Sequence, residues 1–179
     1  GFSGVLFSLT GKIWPEYPDR STYQEPPLQT VIRLLMKSAI YSYHSGRFFR
    51  HASSQPLNEQ LADLVLCFGA KSLLAGKPVF TMLKEKFPTA EIATCSTSGE
   101  IFHTEVMDET LSITAIEFEK TSVLSHGISI KDFNNSYDAG KALVSQFEKK
   151  DLSYILVLSD GSLVNGSELV RGMNEVAGE

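Results

Sequence analysis

Apolar and polar positions along this chain change period several times, and the clearest succession runs from Asp63 to Ile101. Asp63–Phe68 is an apolar run closed by Gly69, the length and flank of a buried strand. Pro78 suits the first turn of a helix, where its missing N–H costs nothing. Val79, Phe80, Met82, Leu83 and Phe87 then recur at helical spacing, with Lys84, Glu85 and Lys86 on the other face. Pro88 ends that helix by driving the preceding residue out of the α region. Ala90–Cys95 is a second apolar run, so the unit reads as strand, helix, strand, with the two strands parallel.

The flanking pattern extends this unit into a domain. Ser38–His44 alternates in strand fashion until Ser45-Gly46 breaks it. Ser54 can cap a short helix from Pro56 to Ala62, with Leu57 and Leu61 facing inward. Asp108-Glu109 turns the chain into Thr110–Phe118, and Lys120–Ile130 comes next as another strand, which predicts an antiparallel hairpin between the two. Asn134–Lys149 carries Ala139, Leu143, Val144 and Phe147 on one helical face, with Asn135 or Ser136 as cap. Tyr154–Leu158 is continuously apolar, as a central buried strand would be. A last helix starts at Asn165 or Ser167 and runs through Glu168, Leu169, Val170 and Met173. The expected fold class is therefore α/β: a mixed β-sheet with a parallel βαβ core, an antiparallel hairpin and flanking helices.

Composition narrows the function classes. The chain has 179 residues, enough for one domain with a proper core, and 42% hydrophobic with 21% charged content is ordinary for a globular protein. A net charge of −5 argues against a nucleic-acid partner. No apolar run approaches the roughly 20 residues that span a bilayer, so no membrane partner is expected. Cys67 and Cys95 make neither a disulfide framework nor a zinc motif, which points to a reduced, cytoplasmic setting. Gly1–Leu35 holds four of the seven prolines and differs in character from the rest of the chain. Residues 1–35 are expected to be an N-terminal extension, non-native or poorly ordered, with an arm packed on the domain as the alternative. Residues 36–179 form the expected domain.

Candidate chemistry gathers at strand ends. Ser96-Thr97-Ser98-Gly99-Glu100 offers three hydroxyls, a glycine and a carboxylate just where ligands of open α/β sheets bind. The competing reading is a tight turn whose hydroxyls cap their own backbone. Asp160-Gly161-Ser162 ends the other core strand, and if both strands share one parallel sheet the two loops converge. Hydroxyls and N–H groups beside carboxylates would suit a zwitterion such as an amino acid; on its own, Asp-Gly is a common turn pair. Cys95 with His103, or Ser98, could serve a small hydrolase or transferase, but a core thiol is the commoner role for Cys95, and Ser96 occupies the place where a nucleophile elbow needs glycine. His44, His51, His103 and His126 have no metal-binding spacing, so no metal site is expected. His44–His51 is an aromatic and basic cluster that could meet a partner, although scattered exposed aromatics are commoner.

The run ATCSTSGEIF, a variable turn and ETLSITAIEF resemble the central signature of the FIST N-terminal domain (F-box and intracellular signal transduction). ILVLSDGSLVNGSELVRGMN is similar to a second signature of that family, and the resemblance covers roughly Met36–Glu179. One departure is Ala93-Thr94-Cys95, where the family more often has glycine before the cysteine. The resemblance implies a non-catalytic sensor of small ligands within signal transduction, binding through Ser96–Glu100 and Asp160–Ser162. It also implies a C-terminal FIST module and a signalling output domain or protein as partners, with this chain as the first module of a longer protein. Haem-based gas sensing, with a single histidine as axial ligand, is the alternative that the family brings; no residue pattern selects that histidine.

Overall fold

The computed structural model describes residues 4–11, 36–53, 56–75, 77–97, 99–102, 105–107, 109–149 and 152–178. In chain order these form β1 (Gly4–Gly11), β2 (Met36–His44), β3 (Arg47–Ser53), β4 (Leu64–Ala70), α1 (Lys71–Leu74), α2 (Lys77–Lys86) and β5 (Glu91–Thr97). β6 (Glu100–Phe102), β7 (Glu105–Met107), β8 (Leu111–Phe118), β9 (Thr121–Ile128), α3 (Ser136–Val144), β10 (Leu152–Ser159) and α4 (Gly166–Ala177) complete them.

A five-stranded mixed sheet has the order β3-β2-β8-β4-β5. Only β4 and β5 run parallel, in register from Leu64↔Glu91 to Ala70↔Thr97, and the other pairs are antiparallel. The βαβ unit read from the sequence is therefore present, closed by α2. A three-stranded antiparallel sheet, β10-β1-β9, is separate. Residues 4–11, within the stretch expected to be an extension, supply its central strand. β6 and β7 form a short antiparallel ribbon.

Side-chain alternation shows how these sheets stack. One face of the large sheet sends Tyr41, Val65, Cys67, Leu111 and Ile113 into a core with Val79, Leu83 and Phe87 of the α2 region. The opposite face sends Leu64, Leu66, Ala93, Ile116 and Phe118 against Val123, Leu156 and Leu158 of the small sheet. The small sheet's outer face then packs Ile128, Ile155 and Val157 on Leu143, Phe147, Leu169 and Met173 around α3 and α4. Four layers result, helix, sheet, sheet and helix, each burying the apolar stripe of the next.

Several local expectations change. β8 and β9 do not form a hairpin, because β2 and β4 occupy both edges of β8 and β9 pairs with β1. The tight hairpin is β2–β3, whose turn residues Ser45 and Gly46 have φ of 50° and 77°, as a primed two-residue turn requires. β10 is an edge strand without a fully buried residue, not a central one. Its unbroken apolar run reflects a sheet covered on both faces, with Ile155 and Val157 toward the helices and Leu156 and Leu158 toward the other sheet. The expected helix at 56–62 contracts to a 3-10 turn, Glu59–Leu61, capped by Asn58; Leu57 is buried but Leu61 is 57% exposed. Ser54 lies outside the described residues. The helix expected at 134–149 ends at Val144, with Asn135 as its cap.

Candidate functional site

The carboxyl ends of the parallel pair are built by close packing. Gly69 is required near the end of β4, since a Cβ there would lie 2.3 Å from the Thr110 carbonyl oxygen. The next amide, of Ala70, donates to that same carbonyl at 3.1 Å. β4 then passes straight into α1, so Lys71 and Ser72 emerge beside the exposed Thr97, whose register partner is Ala70. The Ser72 hydroxyl donates to both carboxylate oxygens of Glu109, at 3.0 and 2.8 Å. Glu109 itself sits at φ 55°, a left-handed conformation that a non-glycine residue holds at a cost of about 1–2 kcal/mol. Strand end, α1 and the approach to β8 are thereby tied into one polar corner.

Of the residues singled out in the sequence, Ser96 and Thr97 are exposed at the end of β5, Gly99 is exposed just beyond, and Glu100 opens β6 opposite Met107. Ser98 and His103 lie outside the described residues. Cys95 is half-buried, not a core thiol, because it lies beyond Ala93 on the same side of β5, toward the end of an edge strand. Its Sγ–H reaches the Ser96 carbonyl at 3.7 Å. Cys67 is the buried thiol, and burial pushes its pKa up to about 12.

Asp160, Gly161 and Ser162 succeed β10 and are exposed. They do not belong to the parallel sheet, so the two loops do not line one sheet edge. The local structure here is an Asx turn: Ser162 donates its amide and its hydroxyl to Asp160 Oδ1, at 2.9 and 2.6 Å. The amides of Leu163 and Val164 donate to the Asp160 carbonyl at 3.1 and 3.0 Å. The Ser162 hydroxyl and amide, with the Lys71 ammonium, hold the Asp160 carboxyl below its ordinary range. Of these influences the Lys71 ammonium is the weakest, a charge at the start of α1 that acts on the β10 exit loop. The sequence reading missed it, although Lys71-Ser72 directly succeeds an apolar strand; the left-handed Glu109 has no comparable signal.

Other candidates have local structural roles. Asn165 caps α4, its side-chain oxygen accepting from the Glu168 amide at 3.2 Å. His44 stacks on Phe49 at 4.3 Å, His126 meets Phe147 edge-on at 4.7 Å, and His51 Nε2 lies 2.7 Å from the Ser42 hydroxyl. Among the described residues no three His, Cys, Asp or Glu side chains assemble as a metal site. A gap of about 10 Å³ between the small sheet and α3–α4, lined by Val157, Ser159, Val164 and Leu169, is barely the volume of one water.

Exposed hydroxyls beside a lysine at the carboxyl ends of a parallel strand pair are residue types that small-ligand domains use. The chain belongs to the FIST family: the FIST N domain model matches residues 63–179. FIST domains are sensory domains of signal transduction. No curated protein and no solved structure matches the chain. No helix among the described residues is long and apolar enough to cross a membrane.

Proposed function

We propose that this domain is a non-catalytic sensor whose strand-end loops bind a small polar ligand, an amino acid or derivative. The observation that carries the reading is the carboxyl end of the β4–β5 pair, where the exposed Ser96 and Thr97 lie beside the exposed Lys71 and Ser72 that directly succeed β4. A ligand carboxylate would meet the Lys71 ammonium and the hydroxyls of Ser96, Thr97 and Ser98 near the Gly99 backbone. A ligand ammonium would meet Asp160, in the loop with Gly161 and Ser162, or Glu100. Opposite charges presented by two sheets give binding a means of altering how those sheets sit, and so of shifting an equilibrium that a further FIST module and a cytoplasmic output can report.

A thermal-shift panel of the twenty amino acids on the full chain tests this. A ligand at 100 times its dissociation constant stabilises by about 2.7 kcal/mol, which is about 5–10 °C for a domain of this size. The shift should disappear in Lys71→Met and in Ser98→Ala combined with Glu100→Gln. An amino acid that binds with undiminished affinity to both variants would place its site elsewhere.

A further inference from the structure

The aromatic and basic run that the sequence shows at His44–His51 is organised by the fold into the outer corner of the large sheet. β3 is the last strand of that sheet, and among the described residues no strand pairs with its outer edge. Arg47, Phe49, Arg50, His51 and Ser53 are exposed on it, Phe49 at 38%. Phe48 instead turns inward beneath Lys86, whose Nζ is 5.4 Å from the ring centroid.

Two properties define what fits this edge. The first is charge. The cations of β3 itself are Arg47 and Arg50, both exposed and with no acidic residue on the strand, in a chain whose net charge is −5; Lys37 of β2 is already ion-paired with Glu117, and Glu59 acts on Arg50 from the inner face. The second is rigidity. The primed turn fixes the hairpin, the His44 ring lies 8° from parallel with Phe49, and Arg50 covers Tyr41 at 5.8 Å. An apolar ring flanked by cations is therefore held in extended geometry on an open strand. We infer that β3 is a docking edge for an extended acidic segment of another protein, which adds to the sheet as a further strand.

Strand addition obtains its affinity from main-chain hydrogen bonds and its selectivity from alternate side chains. From Arg47 to Arg50 the strand is regular, Arg47 and Phe49 alternating with Phe48 and Arg50 before the register shifts at His51, so an antiparallel partner would place Glu, Val, Val, Glu opposite residues 50 to 47. A second copy of this chain pairing through β3 would set arginines near arginines, which disfavours self-association. The acidic remainder of the chain opposes a nucleic-acid backbone in the same way.

The probe is a fluorescein-labelled peptide, Ser-Thr-Glu-Glu-Val-Val-Glu-Thr-Ser, titrated with the full chain and read by anisotropy. Saturable binding that weakens as salt rises is expected, whereas the same peptide with Lys for Glu should not bind. Arg47→Glu with Arg50→Glu should weaken binding about tenfold or more, since attractions become repulsions at two places. Arg50 touches Tyr41, so Arg47→Glu alone, at an exposed turn-flanking site, provides the variant whose melting temperature stays unchanged while affinity falls. Three results would overturn the inference: equal binding of the acidic and basic peptides, unchanged affinity in Arg47→Glu, or stronger binding of a labelled single-stranded oligonucleotide than of the acidic peptide. So would a concentration-dependent dimer that both arginine variants dissolve, because the occupant would then be a second copy.

Discussion

Replacing Gly172 by alanine tests whether α3 and α4 pack as closely as the structure has them. A Cβ on Gly172 would lie 2.0 Å from the Tyr137 carbonyl oxygen, 2.9 Å from its carbonyl carbon and 3.2 Å from the Lys141 amide nitrogen. Ordinary contact begins at 3.4 Å, so the oxygen contact alone is short by 1.4 Å. These are backbone atoms in a helix, and no rotamer change can relieve them. Gly140 meets the other helix in the same manner, its Cβ position 2.2 Å from the Leu169 carbonyl oxygen, so separating the helices at one glycine disturbs the contact at both. Alanine gains about 1 kcal/mol over glycine in helix propensity. Overpacking of a tight core costs about 1–3 kcal/mol or more, and a backbone-on-backbone clash belongs at the upper end. The helices would part and uncover Leu143, Leu169 and Met173, which form the core beneath them. The expected net loss is about 2 kcal/mol, or a melting temperature lower by about 4–8 °C. Urea denaturation and calorimetry on Gly172→Ala measure it, with Gly166→Ala as control, because a Cβ at Gly166 meets nothing within 4 Å. The control should be neutral or gain up to about 1 kcal/mol. If Gly172→Ala melts at or above the parent temperature, the helices are not in contact through these glycines.

Two further outcomes concern titration and reactivity. The Asp160 carboxyl is held below its ordinary range by the Ser162 hydroxyl, the Ser162 amide and Lys71, so its ionised form favours the folded loop. That contribution is complete above the unfolded aspartate value and is lost as pH falls through the lower folded value. Ser162→Ala should move the Asp160 titration upward in carbon-detected NMR, and an unmoved midpoint would remove the Asx turn as its cause. For the thiols, native protein at pH 8 should show one group reacting promptly with a disulfide reagent, Cys95, while Cys67 reacts only on unfolding, because the thiolate is the nucleophile and burial suppresses it. Mass mapping that finds the label on Cys67 first would contradict its burial.

Where the fold was legible, local period and tertiary role coincided. Helix α2 reads correctly because one stripe, Val79, Leu83 and Phe87, meets one sheet. The β4–β5 pair reads correctly because a helix-length connection between two apolar runs leaves parallel pairing as the economical arrangement. The caps at Asn135 and Asn165 are visible because each side chain acts within three residues, on Asp138 and Glu168. The strand-end hydroxyls at Ser96 and Thr97 belong to the same class, placed by the strand that carries them.

Pairing between distant strands has no such local record. Thr110–Phe118 and Lys120–Ile130 look like a hairpin because they are adjacent and both apolar, yet the edges of β8 are taken by β2 and β4. What selects those neighbours is the face each strand must bury. Leu111, Ile113 and Ala115 need α2, while His126 and Ile128 lie on the alternate side of β9 from Val123, toward Phe147 and the α3–α4 layer. Two strands that serve different helix layers cannot continue one sheet, so the chain crosses between layers at Glu119-Lys120. The same division separates β10 from β5 and moves Asp160–Ser162 off the edge that carries Ser96 and Thr97. That Lys71 acts on Asp160 at all follows from the stacking of the two sheets, a relation that no spacing within Gly69-Ala70-Lys71-Ser72 could encode.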